Sequence, residues 1–463
     1  MGATKNGNYI NVTGTGNTLA SITSDINDTT FIEETSTDYY VLKGNTTRII
    51  SILPNAELII GDPSDPTVSE TLMMDNPSSN RTGFKIQGSL QVYGQTTIET
   101  VQANTYPRSN IIHTGGEVIL SGSAGYPVRM NNYGKMSYYD GTTGSYTHTH
   151  FGKTQRSLPF ATFDAATTTI SDVLWTARNC HWGIDSGSQY QYQRSNPVWM
   201  GNTRHDWGGH ICTFIDCTVA NANYGPNFYG LLAFKMISGS VSNHINSGYN
   251  GSQDVGPQSY YYQHFKDVRF NNDYNQIQYI VNRNNSEKLR LLFEHCYFDN
   301  SNSSGLFRYK TSPPPGRLMI IDPQFADPTY ERYANYISEY VHRLTVNVID
   351  ANNQPLVDAN ITLTQKDGYE TYTQDTEEDG YLDLFGQPCF FCTHYTKTGN
   401  YPNFTVTYKS DNSNSTYHTI TATKSGFIGV EQKVVMDSDK SLTIKMLPAY
   451  NAHVNYSKYN QIL

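Results

Sequence analysis

The sequence predicts an all-β protein: a right-handed parallel β-helix with a short N-terminal helical cap and a C-terminal β-sandwich. Three observations predict it. A six-residue apolar pattern recurs through the middle of the chain. Short strands separated by turns, several of them glycine-containing, fill the residues before it, and a different set of short alternating strands follows residue 340. Composition agrees, since Tyr and Gly each occur 36 times and charged residues make up only 16% of the chain, against about a quarter in a typical globular protein. Long helices favour Ala, Glu, Lys and Leu, whereas Tyr and Thr suit strands and Asn, Gly and Ser suit turns.

Residues 1–40 form the expected cap. Leu19, Ile22 and Ile26 fall at i, i+3 and i+7, one face of a short helix over 17–28. Asn17 or Thr18 supplies its N-cap, and strands at 9–13 and 30–34 flank it. A β-helix exposes an unpaired sheet edge at its end, which such a cap covers. The β-helix itself is placed at 41–325. Its first part has strands at 48–53, 56–60, 84–86, 89–92 and 117–120, read as irregular early coils.

The later coils carry the repeat. It reads Ala177-x-x-Cys180-x-Trp182, Phe214-x-x-Cys217-x-Val219, Met236-x-x-Gly239-x-Val241, Phe265-x-x-Val268-x-Phe270, Phe293-x-x-Cys296-x-Phe298 and Ile320-x-x-Pro323-x-Phe325. Spacing settles at about 27–29 residues from the third copy onward. Positions four and six lie on one face of a strand. One coil cannot bury that face alone, but stacked coils can. Asn or Asp often follows, as at Asn271 and Asp299, where the chain must turn. Cys180, Cys217 and Cys296 therefore read as buried thiols, and the six cysteines as no disulfide framework.

A linker at 326–340, with a short helix in it, leads to a sandwich at 341–447 and a tail at 448–463. The stretches LTVNVIDANNQPLVDANITL, TEEDGYLDL and TATKSGFIGVEQKVVMDSDKSLTIKM resemble the carboxypeptidase-regulatory or transthyretin-like, Ig-like sandwich. That family has a strand, an Asp-to-Pro turn, an Ala-x-Val/Ile strand, an Asp-x-Gly stretch and a Lys-x-Gly-aromatic stretch. Such modules are mostly spacers and stalks. The order of cap, β-helix and Ig-like module resembles tailed-phage virion appendage proteins, which implies a homotrimer and contact with other virion structural proteins.

The β-helix carries several candidates for chemistry. Stacking brings Asp267, Glu294 and Asp322 into line, with Asp216 in an equivalent place. Glycoside hydrolysis needs two carboxyl groups flanking one bond, so these are the catalytic candidates. The competing reading is a row of outward polar residues that periodicity demands anyway, and no catalytic residue is assigned. His148 and His150, at i and i+2, offer a metal pair for a trimer axis, against a polar loop with incidental histidines. No metal or other cofactor is expected. Cys389 and Cys392 form a lone CFFC without the second ligand pair that zinc needs. Tyr190, Tyr192, Trp199, Trp207, Tyr260, Tyr261 and Tyr262 fall in turns leaving the coils. Tyr and Trp suit both sugar rings and protein interfaces, so glycan contact and subunit packing stand as alternatives.

A net charge of −9 gives no electrostatic case for nucleic acid. No apolar run reaches the ~18 residues of a membrane span, so no membrane insertion is expected. Residues 1–9 are polar and lack the apolar core of a signal peptide. A surface-type composition without a leader fits a virion protein made inside a host and exposed later, or export by another route, or a removed signal. The expected function is a structural or attachment protein on a virion surface, or an extracellular one, contacting partner subunits or host surface polysaccharide. The alternative is an extracellular polysaccharide lyase or glycosidase.

Overall fold

The computed structural model describes residues 2–44, 47–75, 82–100, 110–113, 116–131, 135–138, 143–151, 162–163, 174–183, 199–200, 210–224, 227–229, 232–247, 249–253, 261–271, 277–281, 289–299, 307–309, 317–366, 371–375, 390–412 and 416–449. They divide into two compact units. The first comprises Met1–Arg317 and Asp322–Tyr336, the second Leu318–Ile321 and Ile337–Leu463.

The first unit is a parallel β-helix. The chain visits three parallel stacks in turn: Arg48–Ile52, Glu57–Ile60 and Thr71–Met74 make one coil, and Thr82–Ile86, Ser89–Tyr93 and Thr97–Thr100 the next. Each strand pairs in register with its counterpart one coil on: Ile50 with Phe84, Leu58 with Leu90, Leu72 with Ile98. The second stack continues through Leu174–Arg178, His210–Ile215, Leu232–Ile237, Tyr261–Lys266 and Leu289–Glu294. The third continues through His181–Gly183, Thr218–Tyr224, Ser240–Ser247, Arg269–Asn271, Tyr297–Asp299 and Gln324–Phe325. The irregular early strands thus belong to the same stacks as the later repeat.

Helix α1 (Leu19–Ile26) lies where the sequence placed the cap. Thr18 is its N-cap, and the Thr18 and Ser21 side chains accept from each other's backbone N–H groups, which satisfies the first-turn donors. Leu19 and Ile22 are buried. Asn17 is buried beside them. Its amide donates to the carbonyls of Thr13, Gly14 and Glu57 and accepts from the Gly2 N–H, tying the first residues to the first coil. The strand expected at 30–34 is Ile32–Ser36, antiparallel to Tyr39–Leu42.

The repeat makes two inward columns. One runs Ala177, Phe214, Met236, Phe265, Phe293; the other runs Trp182, Val219, Val241, Phe270, Phe298, Phe325. Trp182 stacks on Phe214 at 4.3 Å, Phe265 on Phe293 at 5.2 Å and Phe270 on Phe298 at 5.3 Å between ring centroids, with edge-to-face contacts across the columns. Phe293 touches rings of both columns. Its replacement by Ala is expected to destabilise the β-helix by about 3–5 kcal/mol, read as a lower midpoint of urea unfolding by tryptophan fluorescence. A shift within error would show that this ring does not fill the core.

The corner between the second and third stacks has one backbone form. The third residue of each repeat, Asn179, Asp216, Ser238, Asp267, His295 or Asp322, is left-handed with φ between 40 and 59°. Asn and Asp tolerate that region best after Gly. The corner residue keeps the ladder unbroken: the Asn179, Asp216, Ser238 and Asp267 N–H groups donate to carbonyls of the next coil at 2.8–2.9 Å. The next position turns inward. Cys180, Cys217 and Cys296 are buried free thiols there; the Cys217 and Cys296 thiols donate to the Ala177 and Phe265 carbonyls. Burial pushes both of these thiols up, away from the thiolate. Gly239 takes the same place with φ 85°.

The second unit is also all β among its described residues. Thr371–Asp375, Asn360–Thr364, His418–Thr423 and Val430–Val434 form an antiparallel sheet in that order. Leu344 to Ile349 pair in parallel with Lys440–Lys445, and Phe390–Asn400 forms a hairpin with Asn403–Tyr408. Ile361, Leu363, Ile420, Leu344 and Ile444 are buried. A buried polar relay joins the elements: Thr393 donates its hydroxyl to Glu339 and its N–H to Gln365, and its carbonyl faces His418 Nε2 at 2.8 Å. The short helix expected at 326–340 is a single 3-10 turn, Pro328–Tyr330, after which strand Arg332–Ile349 begins. Asp327 caps that turn by accepting the Thr329 N–H, and Tyr333 already pairs with Phe307, so the chain is claimed by the ladder before a helix can extend.

Candidate functional site

The candidate carboxylates meet at the corner between the second and third stacks. Tyr261–Lys266 and Leu289–Glu294 lie in register, with His264 opposite Leu292 and Lys266 opposite Glu294. Asp267 and His295 follow as the left-handed corner residues of these two coils, and Asp322 is that of the next.

The three do not share one environment. Glu294 is fully buried. Its Oε2 lies 2.9 Å from His264 Nε2 and its Oε1 3.0 Å from Lys266 Nζ. His264 is 1% exposed and Lys266 17%. Asp267 and Asp322 stand in solvent, 47% and 77% exposed. His295 lies between them, with Nδ1 3.6 Å from Asp267 and Nε2 3.7 Å from Asp322. Exposed pairs of this kind contribute about 0–1 kcal/mol. The two aspartates are two coils apart, about 10 Å along the stack, and the imidazole occupies the interval. The arrangement therefore suits a surface charge ladder backed by a buried counter-ion.

Sequence reasoning placed Asp267, Glu294 and Asp322 in line but missed His264, Lys266 and His295. The signal for His295 was available: it holds the third repeat position, where the other copies have Asn, Asp or Ser. His264 and Lys266 flank inward-facing Phe265, so alternation sends them outward, and nothing in the sequence marks that outward face as covered.

His148 and His150 do not sit two places along one strand. His148 is a left-handed corner residue with φ 43°, and His150 lies beyond the corner in strand Thr149–Phe151. The His150 ring packs against His181 of the next coil, centroids 5.6 Å apart. Tyr261 and Tyr262 open the strand Tyr261–Lys266, and Trp199 opens Trp199–Met200. Tyr190, Tyr192, Trp207 and Tyr260 lie outside the described residues, as does Cys389. Cys392 is buried in strand Phe390–Asn400.

The stacked parallel ladders and inward columns define an all-β protein built on a parallel β-helix. Comparison with known protein families and with curated proteins finds no match to this sequence. Among the described residues no helix is long and apolar enough to cross a membrane.

Proposed function

We propose that this chain is a structural or attachment protein of a virion, a homotrimeric spike, fibre or decorating appendage that contacts partner subunits or a host surface polysaccharide. The observation that carries the reading is the state of Glu294. The one protected carboxylate of the candidate trio is committed to His264 and Lys266, so the corner serves the scaffold. The parallel pairing of 344–349 with 440–445 beside a four-stranded antiparallel sheet suits an Ig-like spacer of the carboxypeptidase-regulatory or transthyretin-like kind. The aromatic residues Tyr190, Tyr192, Trp199, Trp207 and Tyr260 to Tyr262 are the proposed contact residues.

Two measurements test it. Native mass is expected at three times the 52.1 kDa chain. Incubation with a panel of surface polysaccharides is expected to give binding without chain shortening, and binding lost when Tyr260, Tyr261 and Tyr262 are replaced by Ala. Release of reducing or unsaturated ends, abolished by Asp267→Asn or Asp322→Asn, would instead establish the second reading: a polysaccharide lyase or glycosidase using the exposed corner column.

A further inference from the structure

The inward column of the β-helix contains a step at which two thiols meet. Cys180 and Cys217 hold the same repeat position in successive coils, just ahead of the third stack. The ladder is in register on both sides of them: Arg178 pairs with Ile215, His181 pairs with Thr218, and the Cys180 carbonyl accepts the Thr218 N–H at 2.9 Å. Residues aligned in this way lie about 4.8 Å apart, inside the Cα separations of about 4.4–6.8 Å that a disulfide accepts. Both side chains turn inward, 2% and 0% exposed. The Cys217 sulfur reaches across to the Cys180 coil, 3.4 Å from the Ala177 carbonyl oxygen, and is in hydrogen-bond contact with the Cys180 sulfur. The column keeps its other thiol apart: Thr149 precedes Cys180, Gly239 follows Cys217, and Cys296 lies between Val268 and Pro323.

The two sulfurs are not equivalent. Burial raises both. At Cys180 the Cys217 thiol and the Thr149 N–H outweigh burial and bring the thiol below its ordinary value; at Cys217 burial and the Cys180 neighbour act together and push it up. Cys180 therefore suits attack as the thiolate, and Cys217 waits beside it as the resolving thiol. We propose that Cys180 and Cys217 are a redox-closed staple, two free thiols in the reduced chain that hydrogen peroxide converts into a disulfide joining adjacent coils. Peroxide suits the place because it is little larger than water and the column is closed to bulky disulfides. The Cys180 thiolate attacks one peroxide oxygen, the O–O bond breaks, and the departing hydroxide takes up the Cys180 proton as water. Cys180 is left as a sulfenic acid. The Cys217 sulfur then attacks the Cys180 sulfur, the S–S bond forms as the S–O bond breaks, and hydroxide leaves with the Cys217 proton as a second water. Two thiols are oxidised and one peroxide is reduced to two waters. The link closes the loop from Cys180 to Cys217, which restricts the unfolded chain.

The test uses the full chain, reduced, freed of reductant and treated with hydrogen peroxide while folded. It is then unfolded in an alkylating agent and digested, and its peptides are sequenced by mass spectrometry. The expected product joins the Cys180 and Cys217 peptides, two hydrogens lighter than their sum, and is split by a phosphine reductant. Wild-type chain alone gives this result, so it does not depend on any variant folding. Cys180→Ser and Cys217→Ser should each abolish the link, and Cys296→Ser should keep it. The oxidised chain should run as a monomer on a denaturing gel without reductant, and its urea midpoint should lie above that of the reduced chain. Full alkylation of both cysteines after peroxide, sulfinic acid at Cys180 without a link, a covalent dimer, or a midpoint no higher than that of the reduced chain would overturn the staple and leave the two thiols as core filling.

Discussion

Alanine or valine at position 239 is expected to destabilise the β-helix by about 3–5 kcal/mol, the sum of a strained left-handed residue and overpacking against rigid atoms. The sequence pattern alone suggests the opposite. Position 239 belongs to the inward column that holds Cys217 before it and Val268 after it, so valine looks like a better filling. The backbone decides otherwise. Ser238 and Gly239 are both left-handed, at 59 and 85°, whereas the other copies have one left-handed corner residue. A Cβ on Gly239 would lie 2.0 Å from the Cys217 carbonyl oxygen and 2.8 Å from the Cys217 nitrogen. Those are backbone atoms of the ladder, which hold the Ser240 N–H at 3.0 Å, and they cannot yield as a side chain can. Because the clash is with Cβ itself, Ala and Val should lose similar amounts. Urea midpoints for the two variants and the wild type check this; a valine variant as stable as the wild type would show that the corner relaxes to the form of its neighbours.

Position 239 also marks where the sequence stops being legible. The alternation of positions four and six was readable because it is local, and it correctly grouped Cys180, Cys217, Val268 and Cys296 as core. The cap helix was readable for the same reason: Leu19 and Ile22 share a face, and Thr18 can cap. What the pattern could not report is backbone sign. The carboxylates of Asp216, Asp267 and Asp322 looked like chemistry, yet each occupies a corner that requires positive φ, and that requirement explains their residue type without any reaction. Nor could the pattern report what covers an outward face. His264, Leu292 and Glu294 point away from the inward columns and are nevertheless buried. That burial depends on contacts distant in sequence, which a two-residue period does not encode.

Glu294 is where that hidden burial has the largest energetic consequence. Its replacement by Leu is expected to destabilise the first unit by about 3 kcal/mol, because the carboxylate that neutralises a partly buried cation is removed while the cation stays. Lys266 Nζ and His264 Nε2 both face that carboxylate, at 3.0 and 2.9 Å, from side chains 17% and 1% exposed. Glu294→Gln keeps an acceptor for one partner but not the charge, so it should fall between the wild type and Leu. The triple change His264→Leu, Lys266→Met and Glu294→Leu removes all the charges together. Replacing a whole buried ionic group by apolar side chains of similar volume is often neutral, so the triple variant should recover most of the stability lost by the single one. Urea midpoints of the three proteins separate the cases. A single variant that unfolds with the wild type would mean that Glu294 is no counter-ion, and would return it to the acid–base reading that its burial argues against.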